Sequence, residues 1–496
     1  MPKFYVTTSI PYVNAAPHIG FAMELLTADV LARYHRLQGD TVLFSTGSDE
    51  HGGKIKEKAI ENNVTPQAYT DEISQAFRDL AKLVNSSNDR FIRTTNPAHI
   101  ASAQIIWERL AQYIYKGTYK GWYCTGCEEF VTEKAVQERK GICPAHNKPY
   151  EQLEEDNYFF KLSAFTQPVL EAIESNALKI VPDTRRNEIL QVLKDGLEDI
   201  SVSRPITQLD WGIPVPGDDS QVMYVWFEAL MNYLTVLGYP NSDDFKTYWS
   251  PDVQIVGKDI IRFHAAIWPA MLLGLELPLP KLLYAHGFVT SGGAKMSKSI
   301  GNVIAPKAII DQYGVDAFRY YFLRHVPSYD DGDFSWERFE VVYNTELGNE
   351  LGNLVQRVAT MVGRYLEGIV GETPAPAHDI HAFHESLAEC RFDRALETVW
   401  TQVRGLNQYI DEQKPWVLGK NPDDFDHLRE VLAYCVSCLI EIADLLKPFM
   451  PDTADKILSL FASGYIKEVP KPLFPRILEH ETVTTPVPDQ SIDKSK

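Results

Sequence analysis

Phe4-Tyr5-Val6-Thr7-Thr8-Ser9-Ile10, followed shortly by Pro17-His18-Ile19-Gly20-Phe21, decides how this chain begins to fold. The first run is rich in β-branched and aromatic residues and reads as a strand. The second opens a stretch, Phe21 to Leu37, in which Leu25, Leu26, Val30, Leu31, Tyr34 and Leu37 recur at helical spacing. Thr41 to Thr46 reads as a second strand with another helical stretch after it. Strands alternating with helices predict a parallel sheet covered on both faces, whose ligands gather at the carboxyl ends of its strands. Residues 116–221 break the rhythm and read as an insertion. The alternation resumes at Val222-Met223-Tyr224-Val225-Trp226 and continues through Val253 to Val256 and Leu282 to Val289.

From Tyr343 onward only helices are predicted. Leu347, Leu351, Leu354, Val358, Met361 and Tyr365 form one apolar seam, and Leu396, Val399, Val403, Leu406 and Ile410 form another. Such seams predict a helical bundle. Its first hairpin is expected to turn through Gly371 to Pro376, and residues 481–496 are expected to be a disordered tail. The most apolar region, Val431 to Leu446, is interrupted by Glu441 and Asp444, so no membrane span is expected. The chain opens on a strand, without a basic leader or apolar signal core, which predicts a cytoplasmic protein.

The formal charge of −19 over 496 residues argues against a generic nucleic-acid coat, because non-specific affinity comes from cations neutralising phosphates. A local basic strip on an acidic body can still select one RNA. Of the six cysteines, Cys124, Cys127 and Cys143 cluster with His146. Two close pairs separated by a short loop fit a tetrahedral zinc knuckle with no open coordination position, hence a structural metal. Cys435 and Cys438 sit in an apolar helical run without further ligands and read as core residues.

Two motifs carry chemistry. In Pro17-His18-Ile19-Gly20-Phe21, Gly20 permits close backbone approach, the helix start favours phosphate, and His18 can donate to phosphate oxygen. In Lys295-Met296-Ser297-Lys298-Ser299, behind Ser291-Gly292-Gly293-Ala294, two ammonium groups on a loop suit neutralisation of a leaving pyrophosphate.

Together these motifs resemble the HIGH and KMSKS elements of class I aminoacyl-tRNA synthetases. Four further stretches are similar to methionyl-tRNA synthetases of the single zinc-knuckle type. They are Ile10-Pro11-Tyr12-Val13-Asn14, Gly47-Ser48-Asp49-Glu50-His51-Gly52, Val225-Trp226-Phe227-Glu228-Ala229-Leu230 with Tyr233, and Gly257-Lys258-Asp259-Ile260-Ile261-Arg262-Phe263-His264. The resemblance implies an ATP-dependent methionine–tRNA ligase that makes methionyl-adenylate and transfers methionine to the 3′ end of tRNA(Met). It also implies site residues. His18, Gly20, Lys295 and Lys298 would be catalytic. Ile10, Tyr12, Trp226, Ala229, Leu230, Tyr233, Ile260 and His264 would line the amino-acid pocket, with Asp49 on the substrate ammonium and Arg204 near the insertion. Pro17, His18, Gly20, Glu24, Gly257, Asp259 and Lys298 would face Mg·ATP. Cys124, Cys127, Cys143 and His146 would hold Zn²⁺, and Asn353, Arg357 and Trp416 would read a CAU anticodon.

The implied architecture is a Rossmann-like catalytic domain in two halves, 1–115 and 222–290, split by a connective insertion, 116–221, with its zinc knuckle at 124–146. The KMSKS loop and a linking region, 291–342, lead to an α-helical anticodon-binding domain, 343–480. No dimerising C-terminal domain follows the bundle, so a monomer is expected. Two departures stand out. Phe21 occupies a place where the family motif ends in a second histidine, and Glu228 replaces an aspartate. Phe21 also supports a different reading, a non-catalytic tRNA-binding paralogue. A class I synthetase for another amino acid is a further alternative.

Overall fold

In a computed structural model, the structure describes residues 2–124, 129–131, 133–145, 147–296, 302–371, 379–466 and 471–476. The chain divides into two compact units, each assembled from three stretches. The first comprises Met1–Phe334, Asp379–Thr398 and Leu446–Asp452; the second comprises Ser335–His378, Val399–Leu445 and Thr453–Lys496.

The first unit is built on a six-stranded sheet. Its strands are β1 (Lys3–Thr8), β2 (Thr41–Ser48), β3 (Arg90–Arg93), β4 (Lys179–Val181), β5 (Val253–Gly257) and β6 (Leu282–His286), in the order β3-β2-β1-β5-β6-β4. Every pairing is parallel. All five residues of β5 and of β6 are buried, as expected of strands covered on both faces. The strand order reverses between β1 and β5, which is where such sheets open a crevice for ligands. Helix α1 (Ile19–Leu37) follows β1 and buries Ala22, Leu25, Leu26, Val30 and Leu31.

Two expectations need correction. The edge strand β4 comes from within residues 116–221, so that stretch is not wholly inserted; Leu282, Leu283 and Tyr284 pair with Lys179, Ile180 and Val181. Three residues bounded by a turn and a proline carry too little periodicity to be recognised. Nor is Leu282 to Val289 one strand. β6 ends at His286, and Val289–Ser291 pairs in a separate sheet with Ala294–Lys295 and Gly332–Phe334.

The other strands of 116–221 pair antiparallel. Ile114–Cys124 and Glu151–Phe160 form a long ladder flanked by Glu129–Val131 and Ile200–Ser201. At its root Phe160 packs against Phe165 and Phe227, and Trp107 meets Phe227 edge-on at 5.7 Å.

The second unit is helical. Tyr343–Gly352 winds as a π-helix and runs into α2 (Asn353–Tyr365). Leu347, Leu351, Leu354, Val358 and Met361 are buried, while Asn353 is exposed. Helices α3 (Phe392–Gln413) and α4 (Phe425–Leu446) each contribute to both units. Cys435 and Cys438 are buried in α4. The expected turn at Gly371 to Pro376 and the tail lie mostly or wholly outside the described residues.

Candidate active site

The carboxyl ends of β1, β5 and β6 surround a crevice of about 280 Å³. Ser9, Ile10 and Tyr12 follow β1; Gly257, Asp259 and Ile260 end and follow β5; His286 and Gly287 end and follow β6. His18, Gly20, Phe21, Glu24, Trp226 and Met296 complete much of its wall. The histidine–glycine motif and the described part of the lysine motif therefore meet at one opening. Met296 Cε lies 4.0 Å from where a Cβ on Gly20 would sit, and the Ile19 amide donates to Ile304 O at 3.3 Å. The side chain of Lys295, and Lys298 entirely, lie outside what the structure describes.

His18 is the N-cap of α1. Its Nδ1 accepts from the Gly20 amide at 3.1 Å, so the proton of a neutral ring sits on Nε2. A Cβ at Gly20 would come within 2.9 Å of His18 Cε1, so only glycine leaves the ring in place. Phe21 stands 4.6 Å from the His18 ring and meets Phe77 edge-on at 5.2 Å. It fills its position with aromatic packing on both the His18 imidazole and Phe77 of the helix Pro66–Leu83.

Glu24 lies buried beneath this wall. Its Oε1 accepts from the Ser9 amide at 2.5 Å and from Ser9 Oγ at 2.7 Å, and its Oε2 pairs with His286 Nε2 at 3.0 Å. Burial alone would depress the His286 imidazole, but the Glu24 carboxylate outweighs it and raises its pKa.

A smaller extension of about 20 Å³ adjoins the crevice, sharing Ser9, Ile10, Trp226 and Ile260 with it and lined further by Asp49, Ala229, Leu230, Tyr233 and His264. Trp226 stacks on Phe263 at 4.0 Å with the rings 14° from parallel. His264 Nδ1 lies 3.0 Å from Ile260 O, which can only accept, so Nε2 accepts from the Tyr233 hydroxyl at 2.7 Å. Burial lowers the His264 pKa to about 4, keeping the ring neutral. The result is an apolar slot with one polar contact of fixed direction. Asp49 reaches it because β2 is packed closely between β1 and β3; a Cβ at Gly47 would meet Ile10 Cγ2, just after β1, at 2.9 Å and Ile92 O of β3 at 2.3 Å.

Two residues expected at the site line neither cavity. Pro17 lies half-buried before α1. Arg204 Cζ sits 4.5 Å from the Tyr224 ring and 5.8 Å from that of Tyr123, with Nη1 bonded to Ser201 Oγ and Ser203 O. Ser9, His286, Gly287 and Met296 were not singled out from the sequence, although His286 could have been sought at the end of a predicted strand. Nor was the buried bridge formed by Glu228, with Oε1 2.8 Å from His51 Nδ1 and Oε2 2.9 Å from His99 Nε2.

Of the expected zinc ligands, Cys127 and His146 lie outside the described residues. Cys124 and Cys143 are buried in one small cluster with Val131, Val136 and Tyr150. Among the described residues no group of three potential ligands could hold a metal ion.

In the second unit, Arg357 Nη2 donates to Asp411 Oδ1 at 2.9 Å, and its guanidinium carbon lies 5.9 Å from the Trp416 ring. Trp416 is 38% exposed, directly after Lys414, whose φ of 49° is left-handed, and Pro415. Asn353 lies one turn before Arg357 on α2.

A doubly wound parallel sheet whose switch point gathers a histidine–glycine helix start and a lysine-motif strand is the catalytic frame of a class I aminoacyl-tRNA synthetase. The family model for tRNA synthetases class I (M) matches residues 4–154 and 145–359. The methionine–tRNA ligase of Caldanaerobacter subterraneus subsp. tengcongensis is 44% identical over 92% of this chain and 73% of its own. That of Brucella melitensis biotype 1 is 40% identical over 96% and 98%. The solved Mycobacterium tuberculosis methionyl-tRNA synthetase in complex with methionyl-adenylate superposes with a TM-score of 0.90 at 38% identity, over 96% of this chain and 100% of that one. The chain belongs to the methionyl-tRNA synthetase family.

Proposed function

We propose that the larger crevice takes ATP and its narrow extension the side chain of methionine, so that the enzyme forms methionyl-adenylate and then methionyl-tRNA. The observation that supports this reading is that the two cavities adjoin, with Ser9, Ile10, Trp226 and Ile260 lining both. With methionine in the extension and ATP in the crevice, the amino-acid carboxylate would lie beside the phosphates of the nucleotide. The carboxylate oxygen attacks the α-phosphorus in line as the bond to pyrophosphate breaks. His18 Nε2–H and the amides opening α1 stabilise the phosphoryl oxygens, and Lys295 and Lys298 neutralise the departing pyrophosphate. Asp49 holds the substrate ammonium. Glu24, Gly257 and Asp259 form the adenosine side, Pro17 shapes the turn, and Arg204 steadies the pocket wall through Tyr224. Mg²⁺ accompanies the triphosphate. The terminal hydroxyl of the tRNA then attacks the adenylate carbonyl and releases AMP.

The apolar slot fits a thioether, which aromatic and aliphatic walls recognise, and the Tyr233–His264 pair tests the sulfur. Asn353, Arg357 and Trp416 supply an amide, a guanidinium and an exposed indole, the groups that read and stack on unpaired bases of a CAU anticodon. Zn²⁺ would be held by Cys124, Cys127, Cys143 and His146; two thiols buried in one cluster suit half of that set, and the metal would supply folding energy to the insertion.

Pyrophosphate exchange measured across a panel of amino acids tests the main reading. Methionine should support exchange better than any other. A different preferred amino acid, or no exchange at all, would sink it. Cys124→Ser should abolish bound zinc, measured by elemental analysis, and loosen the insertion to proteolysis.

A further inference from the structure

We propose that Glu228 is a positioning residue for amino-acid selection: by bridging His51 and His99 it fixes the distance between the two walls of the methionine slot. The inference rests on the slot being the methionine site. Trp226, Ala229 and Leu230 share the face of the short helix Val225–Ala229 that lines the slot, whereas Glu228 points the opposite way and is fully buried. A helix of five residues without a side-chain cap has almost no stability of its own, so tertiary contacts must set its position. Glu228 supplies them in two directions. Through Oε1 it holds His51, two residues beyond Asp49 on the facing wall; through Oε2 it holds His99, in the helix Pro97–Arg109.

The carboxylate only accepts, so both imidazoles donate to it. His99 is fixed from its other side by Thr235 Oγ1 at 2.7 Å, in the segment that also carries Tyr233. Burial opposes ionisation of Glu228, yet the two imidazoles outweigh it and hold its pKa below the usual value. One charge therefore ties together the segments bearing Asp49, Trp226, Ala229 and Tyr233. The slot is narrow, about 20 Å³, so a side chain longer than it accommodates must displace these walls. Their resistance then decides which side-chain lengths are admitted.

The test is pyrophosphate exchange by the full-length protein and its Glu228→Gln, Glu228→Asp and His99→Gln variants, with methionine and with its shorter and longer thioether homologues. Melting temperature and KM for ATP are measured alongside. Glu228→Gln presents an amide N–H to one of the donors; it should raise KM for methionine about tenfold and narrow the preference for methionine over the homologues, with KM for ATP within twofold. Glu228→Asp should keep selectivity within threefold. If Glu228→Gln does not fold, His99→Gln should show the same split more weakly. An unchanged KM for methionine, or parallel losses for both substrates that track folded protein, would overturn the proposal, as would an aspartate variant no better than the glutamine one. Wild-type exchange is the control. If methionine supports none, the slot assignment fails; if it does and Glu228→Gln behaves as wild type, only the bridge fails.

Discussion

Two buried histidines on neighbouring walls of the crevice titrate in opposite directions, and each direction has a stability signature. His264 is held neutral, with a pKa near 4 against about 6.5 in an unfolded chain. Its unfolded form binds protons more readily, so its contribution is complete above pH 6.5 and is lost as pH falls toward 4. Relative to wild type, His264→Gln should therefore gain stability across that window, on the order of 3 kcal/mol in full, read from denaturant unfolding. His286 is raised by Glu24, so its contribution is present below the ordinary histidine value and is lost as pH climbs through the elevated one. His286→Gln should destabilise most on the acid side and least in alkali. His18→Ala should lower kcat of exchange by a factor on the order of 10² while leaving KM for methionine within a few fold, because His18 lines the crevice proposed for ATP and not the slot. A residue-level reading of the sequence could reach His18 and Glu24 through their motifs. It could not reach the Glu24–His286 pair, whose partners are 262 positions apart and are brought together by pairing of β1 with β5 and of β5 with β6.

At the scale of elements, the strand–helix alternation foretold a parallel sheet because strands buried on both faces are written as nearly continuous apolar runs, and β1, β2, β5 and β6 are of that kind. β4 escaped notice because it spans three residues and adds an edge to the sheet, where pattern is weakest. The break of the chain at Gly287 was equally hidden. The spacing of β2 and β3 gives a sharp test. Gly47→Ala would drive a Cβ into the carbonyl of Ile92, which cannot swing aside as a side chain could, and should cost about 1–3 kcal/mol by thermal unfolding. In the helical unit, the guanidinium of Arg357 is braced by Asp411 beside an exposed indole. Trp416→Ala should lower kcat/KM for tRNA charging by ten- to a hundredfold while leaving pyrophosphate exchange untouched, since a stacked base is worth about 1–3 kcal/mol.

For the molecule as a whole, the sequence reading divided the chain into consecutive blocks, whereas the first unit also uses Asp379–Thr398 and Leu446–Asp452. The reason lies in one side chain. Arg319 is fully buried, pairs with Asp29 Oδ2 at 2.7 Å, and donates to Phe449 O and Pro448 O. Ser328 Oγ donates likewise to Asp393 Oδ1 at 2.7 Å. A chain ending at residue 334 would keep the Arg319–Asp29 pair but strip the guanidinium of the Phe449 and Pro448 carbonyls, leaving buried donors unsatisfied at about 1–3 kcal/mol each. Such a fragment should be insoluble or melt far below the full protein, even though it contains every residue expected around ATP and methionine. Three separate stretches make up either unit, so neither is a bead that a protease could snip from a string. Whatever unfolds α3 or α4 should also reach the unit that holds the crevice, since both helices contribute residues to it.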